Sequence, residues 1–482
     1  LKYVSTRGEA PALGFSDVLL AGLARDGGLY VPESWPSFTA AEIAAFWGRP
    51  YADVAFQIIR RFTGDEIAAD DLKRMIGDAY AGFRHPAVAP LTQIGENHFL
   101  LELFHGPTLA FKDVAMQLIS RLMDHVLAAR GQRATIVAAT SGDTGGAAIE
   151  AFRGRERVDV FVLFPNGRVS AVQRRQMTTV ADPNVHAIAI EGTFDDAQAI
   201  VKGMFNHFAF RDRVALSGVN SINWARIVAQ VVYYFTAAVT LGSPHRPVSF
   251  TVPTGNFGDI FAGYVAQRMG LPIQQLVIAT NVNDILDRAM RQGLYQVTEV
   301  QASSSPSMDI QVSSNFERLL FDAYDRDGQD VRRLMASLAQ TRGFAIDATP
   351  LQRIRGLFSS GRADETQTRQ TIADVLVQTG QLIDPHSAVA VTVARARRRP
   401  QEVMITLATA HPAKFPDAVR LATGLEPPLP APLADLTKRR ERYDVLANDL
   451  IAVERYIEAR TRAITVGGAG APSAPVGSES VA

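Results

Sequence analysis

Apolar residues recur along this chain with two different periods. After His85-Pro86, short runs that are almost wholly apolar alternate with longer stretches carrying apolar positions every three or four residues. FLLELF, TIVAAT, VDVFVLFP, VHAIAI, VSFTVPT, LVIAT and VMITLAT predict buried strands. FKDVAMQLISRLMDHVLAARG, AAIEAF, DDAQAIVKGMFNHF and DIFAGYVAQRMG predict helices. Buried strands alternating with helices imply a parallel sheet covered by helices, and hence an α/β fold. Residues 1–85 read differently. FSDVLLAGLA predicts a helix with Ser16 at its N-cap, Asp26-Gly27-Gly28 breaks it, and LYVP predicts a short strand. YADVAFQIIRRFTG and DEIAADDLKRMIGDAYAGF predict two more helices. Near the other end, DLTKRRERYDVLANDLIAVERYIEARTRAI predicts one or two exposed, charged helices. The Gly/Ser/Pro/Ala-rich stretch TVGGAGAPSAPVGSESVA predicts a disordered tail.

Length adds that 482 residues exceed what one core usually serves, so two or three domains are expected. The 49 basic residues balance 49 acidic ones, which argues against nucleic acid or an anionic membrane as partner. The longest apolar stretch, Ile227 to Gly242, contains Gln230 and falls short of the roughly 18 apolar residues of a membrane span. It predicts a buried core helix. LKYVSTRGEAPALGFSD lacks the apolar region of a secretory signal, so a cytoplasmic location is expected. With no cysteine, disulfides, thiolate metal sites and a cysteine nucleophile are excluded.

Several catalytic signatures are missing: GxxxxGK[ST], GxGxxG between strand and helix, HExxH and GxSxG. No metal is expected. Two Gly-rich loops stand where anion sites belong. Thr254-Gly255-Asn256-Phe257-Gly258-Asp259 lies between VSFTVP and DIFAGYVAQRMG, with Asp259 expected to cap the helix. Thr140-Ser141-Gly142-Asp143-Thr144-Gly145-Gly146 follows TIVAA and offers hydroxyls and amides to a carboxylate or phosphate. Either loop alone is equally a tight βα turn. Only six of the 49 basic residues are lysines, so lysine is not the default surface cation. Lys112 opens a strongly apolar helix, where its amine form would be favoured as a Schiff-base lysine requires; a lysine snorkelling beside Asp113 is the plainer alternative. A phosphate cup, a second polar turn and an apolar lysine together suit pyridoxal phosphate.

The chain resembles the threonine synthase family of bacteria and fungi, within the fold-type II pyridoxal-phosphate enzymes. The resemblance rests on YVSTRG, LARDGGLYVP, FHGPTLAFKD, ATSGDTGGAA, GVNSINWARI, PTGNFGD, SPSMDIQVSSNFERLLF and TAHPAKFPDAV, in that order from Tyr3 to Val419. It implies a tryptophan synthase β-like fold of two parallel-sheet α/β domains plus a helical N-terminal lobe. The implied parts are a lobe at 1–85, a large cofactor domain at 86–109 and 221–420, and a small domain at 110–220. C-terminal helices at 421–465 and a tail at 466–482 complete the chain. By resemblance, Lys112 joins the cofactor aldehyde, and Gly255, Asn256, Phe257 and Gly258 cradle its phosphate; Asp259, where many relatives carry Asn, belongs to the same cofactor-binding loop without a direct phosphate contact. Thr409 faces the pyridine nitrogen, with Thr406 the competing choice. Asp143, where related enzymes often carry Asn, neighbours the ring hydroxyl. Ser141, Gly142 and Thr144 hold the substrate carboxylate. Asn220, Ser221, Asn223 and Arg226 are candidates for the substrate phosphate, ahead of Lys414; the SPSMDI loop and His411 line the pocket. The implied reaction converts O-phosphohomoserine and water to threonine and phosphate, with Lys112 as main proton shuttle. A serine/threonine dehydratase or cysteine synthase, a lyase for another phosphorylated amino acid, and a non-catalytic binding protein are the rivals. The long N-terminal extension of plant relatives is missing, so a monomer without S-adenosylmethionine activation is expected.

Overall fold

A computed structural model of the chain describes residues 1–399 and 401–464. Two sheets organise it. The larger has six strands in the order Phe358–Arg362, Ile273–Thr280, Val248–Pro253, Val403–Ala408, His98–Glu102, Leu91–Gly95. All neighbours are parallel except the last pair, so an antiparallel edge closes an otherwise parallel sheet. Strands Val248–Pro253 and Val403–Ala408 are buried along their whole length, as helices on both faces require. The smaller sheet is all parallel, in the order Asp444–Ala447, Val185–Glu191, Val158–Pro165, Ala134–Ala139, Leu216–Ser217.

Asp444–Ala447 corrects the expectation of helices alone at 421–465. Its four residues pair in parallel with Val185–Glu191, and helix Leu450–Glu458 follows, seated on helix Phe194–Asn206. This strand is too short and too exposed to show an apolar period. The latch continues beyond the helix, where Arg462 donates from N and Nε to Asp159 at 2.7 and 2.8 Å. The expected disordered tail at 466–482 lies outside the described residues.

The N-terminal lobe pairs Tyr3–Ser5 with Tyr30–Pro32 and packs helices Phe15–Ala21, Tyr51–Thr63 and Ala69–Tyr80 against the rest. Its anchor is Trp224, ringed by Tyr3, Trp35 and Phe62 at 6.1, 6.2 and 5.8 Å between centroids. Trp224 opens helix Trp224–Thr240, which carries the long apolar stretch and is buried over nearly its whole length. No described helix is long and apolar enough to cross a membrane.

One cap differs from the sequence expectation. Helix Phe15–Ala21 is capped by a distant carboxylate rather than by Ser16, since Glu66 accepts from the N–H groups of Phe15 and Ser16 at 2.7 and 2.9 Å. Glu66→Ala leaves both donors without their acceptor. It is expected to destabilise the lobe by about 1–2 kcal/mol, read as a lower thermal midpoint.

Candidate active site

The turn after strand Val248–Pro253 runs through Thr254, Gly255, Asn256 and Phe257 into helix Gly258–Arg268. A Cβ on Gly255 would lie 2.6 Å from the Ser307 carbonyl oxygen, so glycine alone allows the two backbones this approach. Phe257 is held at φ 62°, with its ring packed against Phe316 and Phe358 at 5.3 and 5.8 Å. Ser313 donates to the Gly255 carbonyl at 2.6 Å, and Asn315 Nδ2 to that of Asn256 at 2.9 Å. With these carbonyls engaged, the N–H groups of the turn and the helix N-terminus form its electropositive face.

The second turn joins strand Ala134–Ala139 to helix Asp143–Phe152. Thr140 Oγ1 accepts from the N–H groups of Gly142 and Gly145, both at 2.9 Å. Gly142 sits at φ 140°, where a Cβ would strike the Gln173 amide. Ser141 and Thr144 are half-buried, whereas Asp143 is buried.

Lys112 begins helix Lys112–Ala129, and its start is tied to the end of strand Val403–Ala408. Phe111 N–H donates to the Thr409 carbonyl at 2.8 Å, and His411 N–H to that of Leu109 at 3.0 Å. Leu109 is held at φ 65° in that junction, a left-handed conformation that a leucine adopts only under tertiary constraint. The Lys112 side chain is buried, with Nζ 3.5 Å from Asp143 Oδ2 and 4.7 Å from the Phe111 ring centre. Burial lowers its proton affinity; Asp143 opposes this, while Lys414 and Arg226 reinforce it. Asp113 takes no part, because both its oxygens are engaged by Thr108 N and Oγ1 at 2.8 and 2.6 Å. Snorkelling is therefore excluded.

Asp143 is the hub. Lys414 Nζ lies 2.8 Å from Oδ1, Gln173 Nε2 donates to Oδ1 at 3.0 Å, and Ser307 Oγ lies 3.5 Å from Oδ2. Burial alone would raise this carboxyl, yet Lys414, Lys112 and Gln173 outweigh it and hold it far below the usual range. Ser307 also joins the two turns, since its carbonyl abuts Gly255. It is pinned in turn by His386, whose Nε2 accepts from Ser307 N–H at 3.2 Å while Nδ1 bonds Asp384 at 2.7 Å.

Asp259 does not cap its helix. Tyr233 and Tyr234 donate to its Oδ1 at 2.5 and 3.2 Å, and Oδ2 is buried without a partner. Burial pushes this carboxyl up to about 7, against the two tyrosines, Lys112 and Arg226. A raised folded-state value contributes stability at low pH that is lost as pH rises through about 7. The unliganded protein is expected to lose thermal stability from about pH 4 to 7, and Asp259→Asn to flatten that slope.

Arg226 lies inside the molecule. It is buried in helix Trp224–Thr240, donates to the Val219 carbonyl at 3.3 Å, and keeps Nε without a partner. Asn223 corrects the sequence reading. Its Oδ1 caps that helix at Ala225 N, 3.0 Å, and its Nδ2 bonds the Leu19 carbonyl at 2.9 Å, so its amide is committed to structure. Asn220 is exposed, and the Ser221 carbonyl accepts from Asn315 Nδ2 at 3.2 Å beside Gly258. Thr406 bonds His98 Nε2 at 2.8 Å, whereas Thr409, at the strand end next to Phe111, is buried and has no such partner. His411 Nδ1 accepts from Ala413 N–H at 3.1 Å, capping the short turn that carries Lys414.

Sequence reasoning undervalued Lys414 and missed Gln173, His386 and the individual role of Ser307. The scarcity of lysine that singled out Lys112 applied equally to Lys414. The other three carry no comparable signal.

Comparison with known proteins shows which family the chain matches. Residues 2–80 match the family described as threonine synthase N terminus, and 387–457 that described as threonine synthase, C-terminal. Residues 84–351, which hold Lys112 and both turns, match the pyridoxal-phosphate dependent enzyme family. Threonine synthase of Pseudomonas aeruginosa is 55% identical over 95% of this chain and 98% of its own. The crystal structure of PLP-bound threonine synthase from Brucella melitensis is 63% identical, covering 96% of this chain and 100% of that one, with a TM-score of 0.94. The yeast threonine synthase structure is 40% identical over 95% of this chain and 98% of that one, with a TM-score of 0.90. By sequence over nearly its full length, and by fold, the chain belongs to the threonine synthase family of pyridoxal-phosphate-dependent enzymes.

Proposed function

We propose that this protein converts O-phospho-L-homoserine and water to L-threonine and inorganic phosphate, as a carbon–oxygen lyase completing threonine biosynthesis. The observation that carries the reading is a buried lysine amine beside Asp143, set between two glycine turns at helix N-termini. The residues suit pyridoxal phosphate. The Gly255 approach to Ser307 is a cradle that a Cβ would fill, and Arg226 Nε and Asp259 Oδ2 are buried polar atoms lacking partners. When bound, the cofactor supplies an aldehyde for an amine and a ring that accepts electrons from bonds broken in the substrate.

Lys112 is assigned to join that aldehyde. The N–H groups of Gly255, Asn256, Phe257 and Gly258 are assigned to its phosphate, and Asp259 to the same cofactor loop without a direct phosphate contact. Thr409 is assigned to the pyridine nitrogen, because the Thr406 hydroxyl is already engaged by His98. A neutral hydroxyl there leaves the nitrogen largely unprotonated. Asp143 is assigned to the ring-hydroxyl side. Ser141, Gly142 and Thr144 orient the substrate carboxylate, and Asn220, Ser221 and Arg226 its phosphate.

Once the substrate amine has displaced Lys112 from the aldehyde, the freed Lys112 Nζ would take the proton from Cα. Burial favours the amine form that this step requires. A second proton leaves Cβ, phosphate departs from Cγ with the bonding electrons, protons return to Cγ and to Cα, and water adds its hydroxyl at Cβ while the released phosphate takes up its remaining proton, so Lys112 must both accept and return protons. A cytoplasmic location and a monomeric state complete the proposal; light scattering on the purified protein tests the latter.

The direct test is phosphate release from O-phosphohomoserine with threonine identified as product. Release from O-phosphothreonine or O-phosphoserine in its place would refute the assignment. Gly255→Ala is expected to displace Ser307 and weaken cofactor binding by at least about tenfold, read by titration of the visible absorption band.

A further inference from the structure

Asp143 carries two amines, and the reaction above uses only one. Lys414 is completely buried, a state that a lysine sustains only when its charge is well paired. Its Nζ reaches Asp143 Oδ1 and the Thr108 carbonyl, both at 2.8 Å. Thr108 lies four residues before Lys112 on the loop leading into its helix, so one ammonium group grips that loop and the carboxylate together. Asp143 Oδ2 is left for Lys112 Nζ and Ser307 Oγ, at 3.5 Å each. The turn Pro412–Lys414 that delivers Lys414 is itself fixed by His411.

We propose that Lys414 is a positioning residue: it holds Asp143 as an anion with Oδ2 presented to Lys112, and through that carboxylate sets how readily the Lys112 nitrogen loses its proton. This rests on the reading of Lys112 as the amine that joins the cofactor. Four charged groups act on Lys112 from four elements. They are Asp143 on helix Asp143–Phe152, Lys414 on turn Pro412–Lys414, Arg226 on helix Trp224–Thr240 and Asp259 on helix Gly258–Arg268. Asp113, next to Lys112 in sequence, also lies within the influence of Lys414 but is turned to Thr108. A carboxylate facing Lys112 alone would stabilise its ammonium form fully. Sharing that carboxylate with Lys414, and adding a second positive charge, shifts Lys112 towards the free amine.

The test measures how fast the full-length protein, stripped of cofactor, is reloaded by pyridoxal phosphate across pH. Only the unprotonated Lys112 amine reacts with the aldehyde. With Lys414→Met the pH midpoint of loading is expected to rise by about 1–2 units, slowing loading at neutral pH about 10- to 100-fold. Lys414→Arg restores the charge and should return the midpoint towards wild type. If methionine prevents folding, Lys414→Gln keeps a donor for Thr108 while removing the charge, and the same shift is read there. A midpoint unmoved in folded Lys414→Met or Lys414→Gln overturns the proposal and leaves Lys414 a packing residue. Appearance of the visible band of the lysine-linked form in Lys112→Ala would overturn the reading of Lys112 itself, so the two failures are distinguishable.

Discussion

Lys112→Ala is expected to lower the rate of phosphate release from O-phosphohomoserine by at least about 10³–10⁴-fold, because it removes both the covalent anchor and the proton-moving base. The rest of the cofactor site would remain, so the variant should still bind cofactor weakly while losing the visible band of the lysine-linked form. Borohydride reduction followed by digestion localises the linkage. In the wild type the labelled peptide should contain Lys112, and the variant should yield no labelled peptide. Lys414 is the informative alternative, since its amine contacts the same carboxylate. Label on Lys414 in the wild-type protein would reverse the roles assigned to the two lysines.

The second large effect concerns Asp143. Asp143→Ala leaves Lys112 and Lys414 buried together without the carboxylate that separates them. Removing one partner of a buried ion pair typically costs about 3–5 kcal/mol, and here Lys414 loses its counter-charge while Lys112 loses the carboxylate beside its amine. A lower thermal midpoint is expected at neutral pH. The sign of its pH dependence follows from the depressed carboxyl. Its contribution is present above the ordinary carboxylate range and is lost as pH falls through the folded-state value, so wild type and variant should converge in acid. At alkaline pH the variant should regain part of the difference as Lys112, whose proton affinity burial lowers, loses its proton. Equal midpoints at neutral pH would show that Asp143 does not hold the two amines.

The chemistry was legible in the sequence where it depended on local pattern. Strand, glycine turn and helix follow one another at Val248–Arg268 and at Ala134–Phe152, and a rare lysine opens an apolar helix at Lys112. Those signals come from short-range backbone geometry, which a linear string records. What was hidden depends on contacts across long separations. Glu66 caps a helix some 50 residues earlier, and Lys414 reaches an aspartate more than 250 positions away. Asp259 was misassigned for the same reason. The first turn of a helix is an ordinary place for a capping carboxylate, but Tyr233 and Tyr234 of a preceding helix take its Oδ1. Strand Phe358–Arg362 shows no apolar period in the sequence, because Ser359, Ser360 and Gly361 give it little apolar signal.

The edge strand Asp444–Ala447 bears on how the polypeptide emerges from the ribosome. Its partner, Val185–Glu191, is made more than 250 residues earlier; Leu216–Ser217 then joins the opposite edge of the same sheet, and synthesis passes through the larger sheet before Asp444–Ala447 is reached. Throughout that interval one flank of the nascent smaller sheet has its ladder groups unoccupied, the condition under which strands recruit foreign chains. Premature termination between the two strands would make that exposure permanent, and such fragments should aggregate more readily than their missing length alone implies.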